Sequence, residues 1–351
     1  MTHLWVRAEC RANEQRVGVT PAGVAQLVAR GFRVTVEESP HRILPLHGFS
    51  QAGAEIAPQG SWRDAPSEAL VFGLKELPDD GSPIRHRHIM FGHAFKGQGA
   101  GKVLLQRFAS GGGALYDLEY LVDETGRRVA AFGYWAGYAG AAVTAIAWAA
   151  QQRSMPCPSV STWPTSAALQ DNVRAALDAA GATRPRALII GALGRVGSGA
   201  RALCEEMGIS VTPWDMAETA HGGPFPEILQ HDLFFNCILA APGVPVFVPR
   251  DAGQLERRLS VIGDIACDPD SDYNPVPVYD RATTWESPVL RVHDDPALDV
   301  MAIDNLPSLL PLESSEDFAA QLLPHLLTLD TLDAGVWGRA HQTFLKHRPE
   351  G

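Results

Sequence analysis

The stretch that most narrows what this chain can become is ALIIGALGRVGSGARALCEEMGISVTPWD, residues 187–215. Ala187 to Ile190 is an unbroken apolar run, as expected of a strand buried on both faces. Gly191, Gly194, Gly197 and Gly199 then punctuate a turn that leads into a helical stretch, ARALCEEMG. A second strand, ISVTPW, follows and ends at Asp215. Glycines let a backbone turn tightly and lie close to a pyrophosphate, whose charge the helix N-terminus meets. A carboxylate after the second strand is placed to accept hydrogen bonds from an adenosine ribose, and it disfavours a 2′-phosphate. The order predicts a dinucleotide site selective for NAD. The spacing GxxGxxGxG departs from the common GxGxxG, so the remaining reading is a glycine-rich turn of a doubly wound fold that holds another ligand.

The rest of the chain repeats the strand–helix alternation. LWVRAE reads as a strand, and Thr20-Pro21 as an N-cap with proline at the first helical position. Val24, Leu27 and Val28 keep a helical period before Gly31 and the strand FRVTVE. Further strands are expected at ALVFGL, HIMFG, GALYDL, DLFFNCIL, LSVIGDI and DVMAID. A helix is expected from about Ser166 to Ala180, and two more in the tail from Ser314. With 351 residues the chain is long enough for two domains. The class is α/β, with residues 151–166 as a polar, proline-bearing connector.

Residues 129–150 carry no charge, yet Gly and Ala dominate them, so they read as a helix packed closely between domains rather than a membrane span. The formal charge of −11 and the lack of a basic stripe exclude nucleic acid as a partner. MTHLWVRAEC has neither the basic n-region nor the apolar h-region of a secretory signal, and a cytoplasmic location is expected. Five scattered cysteines, Cys10, Cys157, Cys204, Cys237 and Cys267, without a CxxC pair, read as reduced thiols.

Two apolar runs end in cations. VFGLKELP carries Lys75 just past one strand, and HIMFGHAFKG carries His93 and Lys96 just past another. Ligands of parallel α/β sheets bind beyond the carboxyl ends of the strands. A desolvated lysine among other cations titrates nearer neutrality, and histidine does so unaided, so both suit proton transfer. Taken singly, a lysine at a strand end is more often a solvated charge. His86 and His88 have no acidic or cysteine partner at ligand spacing, and no metal is expected.

The segments RAECRANEQRVGVTP, GLKELP, FGHAFKGQ, LYDLEYL, GRRVAAFGYWAGYAGAA, ALIIGALGRVGSGA, GGPFPEI and IDNLPSLLP occur in this order along nearly the whole chain. Together they resemble the NAD-dependent, lysine-forming saccharopine dehydrogenases, within the wider alanine dehydrogenase and transhydrogenase fold group. The resemblance implies two Rossmann-like domains with parallel sheets and a cleft between them. One, residues 1–131 plus 315–351, would carry substrate and catalysis; the other, residues 132–314, would bind NAD. The implied reaction is the reversible conversion of saccharopine, NAD and water to lysine, 2-oxoglutarate and NADH.

Carried over by motif, Lys75 and His93 form the acid–base pair, with Glu76 and Glu119 as the acids that tune it. Arg16, Lys96, Gln98 and Arg128 would receive substrate carboxylates, since arginine binds a carboxylate in two-pronged fashion. For NAD, the resemblance adds Arg127, Phe132, Arg195, Val196, Thr219, Leu239, Ile303, Asp304 and Leu306 to Gly191, Gly194, Gly197 and Asp215. Two positions depart from the family pattern. Arg11 stands where the family has lysine, keeping the charge but changing its reach. Val196 replaces the fungal members' cysteine, so no disulfide can join the glycine loop to Cys237. The ending HRPEG lacks the peroxisomal tripeptide. Partners would be small amino acids and 2-oxo acids, with no membrane, for a monomer or small homo-oligomer. Two alternatives remain open: a related alanine or opine-type dehydrogenase using another amine, and a non-catalytic NAD-sensing protein.

Overall fold

The computed structural model describes residues 1–11, 13–96, 99–181 and 183–349. In chain order the first half contains β1 (His3–Val6), α1 (Pro21–Ala29), β2 (Arg33–Glu37), α2 (Leu46–Gln51), β3 (Glu55–Ala57), β4 (Leu70–Phe72), β5 (Arg87–Met90), α3 (Gly99–Gly111) and β6 (Ala114–Asp117). Then come α4 (Gly133–Gln152), α5 (Ser166–Ala180), β7 (Arg186–Ile190), α6 (Arg195–Glu206), β8 (Ser210–Trp214), α7 (Met216–Thr219), α8 (Pro226–Leu229) and β9 (Leu233–Asn236). The chain ends with β10 (Val261–Asp264), β11 (Leu290–Asp294), β12 (Ala297–Met301), α9 (Pro311–Leu326) and α10 (Gly335–His347). It divides into two compact units, one of Met1–Ala131 with Pro311–Gly351, the other of Phe132–Leu310.

In the first unit six strands form one sheet in the order β3-β2-β1-β4-β5-β6, parallel throughout. This is the doubly wound order, in which the chain leaves β1 on one side and later returns on the other. Its strands are short apolar runs because helices cover both faces. Thr20 caps α1 by accepting from the Gly23 amide at 3.2 Å, with Pro21 at the first helical position. α10 packs on β6.

The sheet of the second unit has the order β11-β12-β10-β9-β7-β8, parallel except for β11 at the edge. β7 shows how its core divides. Ala187 and Ile189 enter one apolar cluster, while Leu188 and Ile190 enter the cluster on the opposite face. The charge-free helix α4 is buried from Gly137 to Ala149 and packs on α5, α6 and the strands of its own unit. A Cβ at Gly137 would lie 1.8 Å from the Val196 carbonyl oxygen, and one at Gly199 would lie 1.9 Å from that of Tyr134. The small residues of 129–150 therefore serve backbone-to-backbone packing of α4 on α6. Among the described residues, no helix is long and apolar enough to cross a membrane.

Two strands, β3 and β11, lie outside those expected from sequence. EIA is too short to show a period, and LRVHD is an edge strand whose charged residues mask its alternation.

Candidate active site

The first unit gathers its ionisable groups beyond the carboxyl ends of neighbouring strands. Lys75 and His93 each lie three residues past a strand, β4 and β5 respectively, and Glu119 lies two past β6. The loop after β1 supplies Arg7, Glu9, Arg11, Glu14 and Arg16. β1 and β4 flank the switch point of this sheet, where a crevice forms in doubly wound folds.

The Lys75 loop is held from within. Glu9, buried, accepts from the Leu74 amide at 2.6 Å and the Lys75 amide at 3.0 Å. Arg7, also buried, pairs with Glu9 at 3.3 Å and donates to the Lys75 carbonyl. Gly73 makes this possible, since a Cβ there would fall 2.4 Å from Arg7 Nε. Lys75 itself is half-buried, and its charge acts on two carboxylates. Burial pushes the Glu14 carboxyl up, but Arg16, donating at 2.8 and 2.6 Å, outweighs it with help from Lys75. The net position of Glu14 is below the ordinary range. Glu76 behaves alike: burial raises it, while Arg11 at 2.5 Å and Lys75 bring it down. Arg11 thus faces Glu76.

His93 is exposed and adopts φ +48°, a left-handed conformation that non-glycine residues seldom take. Its ring stacks on Phe91, and its Nδ1 lies 3.6 Å from Glu119 Oε2. The other Glu119 oxygen receives Lys96 Nζ at 2.9 Å and faces Arg128 Nη2 at 3.7 Å. His93, opposed by burial and joined by Lys96 and Arg128, holds the Glu119 carboxyl down to about 2. The carboxylate is therefore a permanent anion among three cationic or protonatable groups.

Of the carboxylate-binding candidates, Lys96 and Arg128 stand beside His93, and Arg16 lies buried against Glu14. Gln98 lies outside the described residues. His86 Nε2 donates to the Ala65 carbonyl at 2.9 Å, and His88 is enclosed by Trp62 and Phe108. Sequence reasoning missed Asp117, Glu9 and Arg7, which touch the loops rather than carry the chemistry. Their one signal is a charged residue at the end of an apolar strand, in LWVRAE and GALYD.

The glycine turn of the second unit follows β7. Gly191, at φ +86°, and Ala192 donate to the Trp214 carbonyl at 2.9 and 3.0 Å. Gly197 lets α6 press on the turn, because a Cβ there would lie 2.1 Å from the Gly191 carbonyl oxygen. Gly194 differs: it caps α6 without a side chain, and the nearest atom to a Cβ built on it is 3.4 Å away. Asp215 accepts from the Leu193 amide at 3.0 Å and the Met216 amide at 2.9 Å, bracing the turn and capping α7. Thr219 closes α7 by donating its hydroxyl to the Asp215 carbonyl at 3.0 Å. Leu193, Met216 and Leu239, after three adjacent strands, are 76%, 83% and 64% exposed. An uncapped helix end with open space, an acid at the next strand and bare apolar side chains fit a dinucleotide.

Around this turn, Val196 is half-buried, and Phe132 begins α4 by accepting from the Ala136 amide at 3.0 Å. Arg195 opens α6, and Asp304 is exposed. Ile303 and Leu306 are 1% exposed, so their backbone is what they can offer a ligand. Arg127 belongs to the first unit, where its amide donates to Asp123 Oδ1 at 3.0 Å. Burial raises the Cys157, Cys204 and Cys267 thiols to about 12, far from a thiolate nucleophile.

Two α/β units built on mostly parallel sheets, one with a glycine turn and one with a cluster of ionisable groups at its strand ends, have the architecture of a two-domain dehydrogenase. Residues 5–139 match the alanine dehydrogenase/PNT N-terminal domain. The fold is similar to that of a solved L-alanine dehydrogenase, with TM-score 0.69 at 18% identity, covering 99% of this chain and 94% of that one. The saccharopine dehydrogenase [NAD(+), L-lysine-forming] of Yarrowia lipolytica is 46% identical, over 98% of this chain and 97% of that protein. Its Neurospora crassa namesake is also 46% identical, over 98% and 95%. The chain belongs to the saccharopine dehydrogenase (NAD, L-lysine-forming) family.

Proposed function

We propose that the chain catalyses the reversible oxidation of saccharopine, with NAD and water, to L-lysine, 2-oxoglutarate, NADH and a proton. NAD, held at Gly191, Gly194, Gly197 and Asp215, supplies the acceptor for the hydride on the carbon beside the secondary amine. Lys75 takes the proton of that amine, so the nitrogen lone pair is free to form the imine as the hydride leaves. His93 then removes a proton from the water that attacks the imine carbon, and returns one to nitrogen as the C–N bond breaks. Glu76 and Glu119 set the charge around the two bases. Lys96, Arg128, Arg16 and Gln98 receive the three carboxylates of the substrate. Arg127, Phe132, Arg195, Val196, Thr219, Leu239, Ile303, Asp304 and Leu306 complete the cofactor's surroundings.

The observation that carries this reading is the placement of Lys75, His93 and Glu119 just beyond three adjacent parallel strands, with His93 and Glu119 3.6 Å apart. The Arg11–Glu76 pair, where the family has lysine, favours a second reading in which the amine partner differs from lysine. The test is NADH oxidation with 2-oxoglutarate plus lysine, then pyruvate plus ammonia, then an amine panel. Lysine-dependent turnover supports the first reading and turnover with another amine the second; NADH binding without turnover on any partner overturns both.

A further inference from the structure

We propose that Asp117 is a positioning residue of this reaction, its buried carboxylate tying the turn that carries His93 to the turn that carries Glu119. The inference rests on the reading that His93 and Glu119 serve proton transfer. Asp117 is the last residue of β6 and is fully buried. One of its oxygens accepts from the Glu119 amide at 2.9 Å, and the other accepts from the Gly92 amide at 3.2 Å. A single side chain thus bridges the loops after β5 and β6, whose functional groups face each other across 3.6 Å.

Three features show that this bridge is built in. A Cβ at Gly92 would lie 2.6 Å from Leu115 Cδ2 and 3.1 Å from Asp117 Oδ2, so glycine is what lets the carboxylate reach that amide. The next residue, His93, sits at φ +48°, and such a conformation persists only where the surroundings hold it. Burial, reinforced by the Glu119 charge, pushes the Asp117 carboxyl up to about 6, against the opposing pull of His93 and the two amides. A carboxylate kept in such a place is a poor choice for stability alone, whereas fixing two loops to one another is a service to geometry.

The experiment is a double-mutant cycle on the full chain. Asp117→Asn keeps the shape but turns an NH2 group toward one of the two amides. Alone, it should lower kcat by about 10- to 100-fold, the scale of a small misplacement of reacting groups. KM for lysine, 2-oxoglutarate and NADH should stay within about twofold, since no binding group is removed. In a His93→Gln background the same change should cost less than about threefold, because residues acting as one unit are not additive. An equal loss in both backgrounds, or an unchanged kcat, overturns the inference. If His93→Gln turns over like the parent, the role of His93 fails and this inference falls with it; a normal His93→Gln loss with an additive Asp117→Asn sinks Asp117 alone. Should Asp117→Asn not fold, Gly92→Ala, which crowds the carboxylate without removing it, enters the same cycle under the same criteria.

Discussion

Both units place their functional loops beyond the carboxyl ends of strands around a switch point, yet they furnish that place with opposite materials. In the first unit the loops after β1, β4, β5 and β6 carry ionisable side chains and are gripped by buried carboxylates, Glu9 under Lys75 and Asp117 under His93 and Glu119. In the second unit β7, β8 and β9 end in glycine, a capping aspartate and exposed apolar residues. Moving protons needs charges at fixed distances, and a charge at the end of a flexible side chain is only as well placed as its backbone. Holding a polyanionic ligand needs amides and room, which side chains would fill. On the proposed function, one topology serves two tasks by exchanging what stands at the strand ends.

The comparison breaks most readily at Lys75. Lys75→Met should lower turnover by roughly 10²–10⁴-fold, the span of a lost acid–base group, while NADH fluorescence titration shows binding close to the parent. Equal loss of NADH affinity would show that the division of labour between the units is wrong.

The next largest effect belongs to the glycines, and it should separate them. Gly197→Ala forces a Cβ to within 2.1 Å of the Gly191 carbonyl oxygen, so stability should fall by about 1–3 kcal/mol in urea unfolding and NADH binding should go with it. Gly194→Ala meets nothing closer than 3.4 Å and keeps φ −75°, which any residue adopts. It should leave the unfolding midpoint nearly unchanged yet weaken NADH by about tenfold if crowding the ligand costs about 1.4 kcal/mol. Parent-like NADH affinity in Gly194→Ala would mean that the open space beside α6 is not where the phosphates lie.

The smallest effect on activity concerns the strands of the first unit themselves, where a change should be felt in stability alone. His88 is wholly buried on β5, both ring nitrogens lack hydrogen-bond partners, and burial holds its pKa well below 6.5. His88→Leu should therefore stabilise by about 1–3 kcal/mol at pH 7.5, the cost of a buried unpaired polar group. The sign of its pH dependence follows from the depressed folded pKa. The unfolded chain binds the proton first, so the parent loses stability as pH falls below 6.5, and the advantage of the variant should widen at pH 5.5. A gap that stays constant or narrows there would mean that His88 is protonated in the fold.

Much of this was legible from residues alone. Short apolar runs marked β1, β2, β4 and β5, and Thr20-Pro21 marked the start of α1, because these signals are local. Ser166–Ala180 was bounded by its own cap, Thr165, and by Gly181. Lys75 and His93 stood out because a cation ending an apolar run is locally odd. Asp117 and Glu9 did not stand out, since a carboxylate that grips amides 25 and 65 residues away looks in the sequence like any acid beside a strand. The four glycines looked equivalent as well, and only their neighbours assign Gly197 and Gly199 to packing and Gly194 to open space.

The sequence by itself determined the α/β class, the family, the glycine turn and the two strand-end candidates Lys75 and His93, because pattern, turn chemistry and residue type are written within a few positions of each other. Tertiary structure alone decided which carboxylate faces His93, which acids hold the loops, and that Arg11 meets Glu76. Those facts are distances between segments far apart in the chain, and charges interact through space rather than along the backbone.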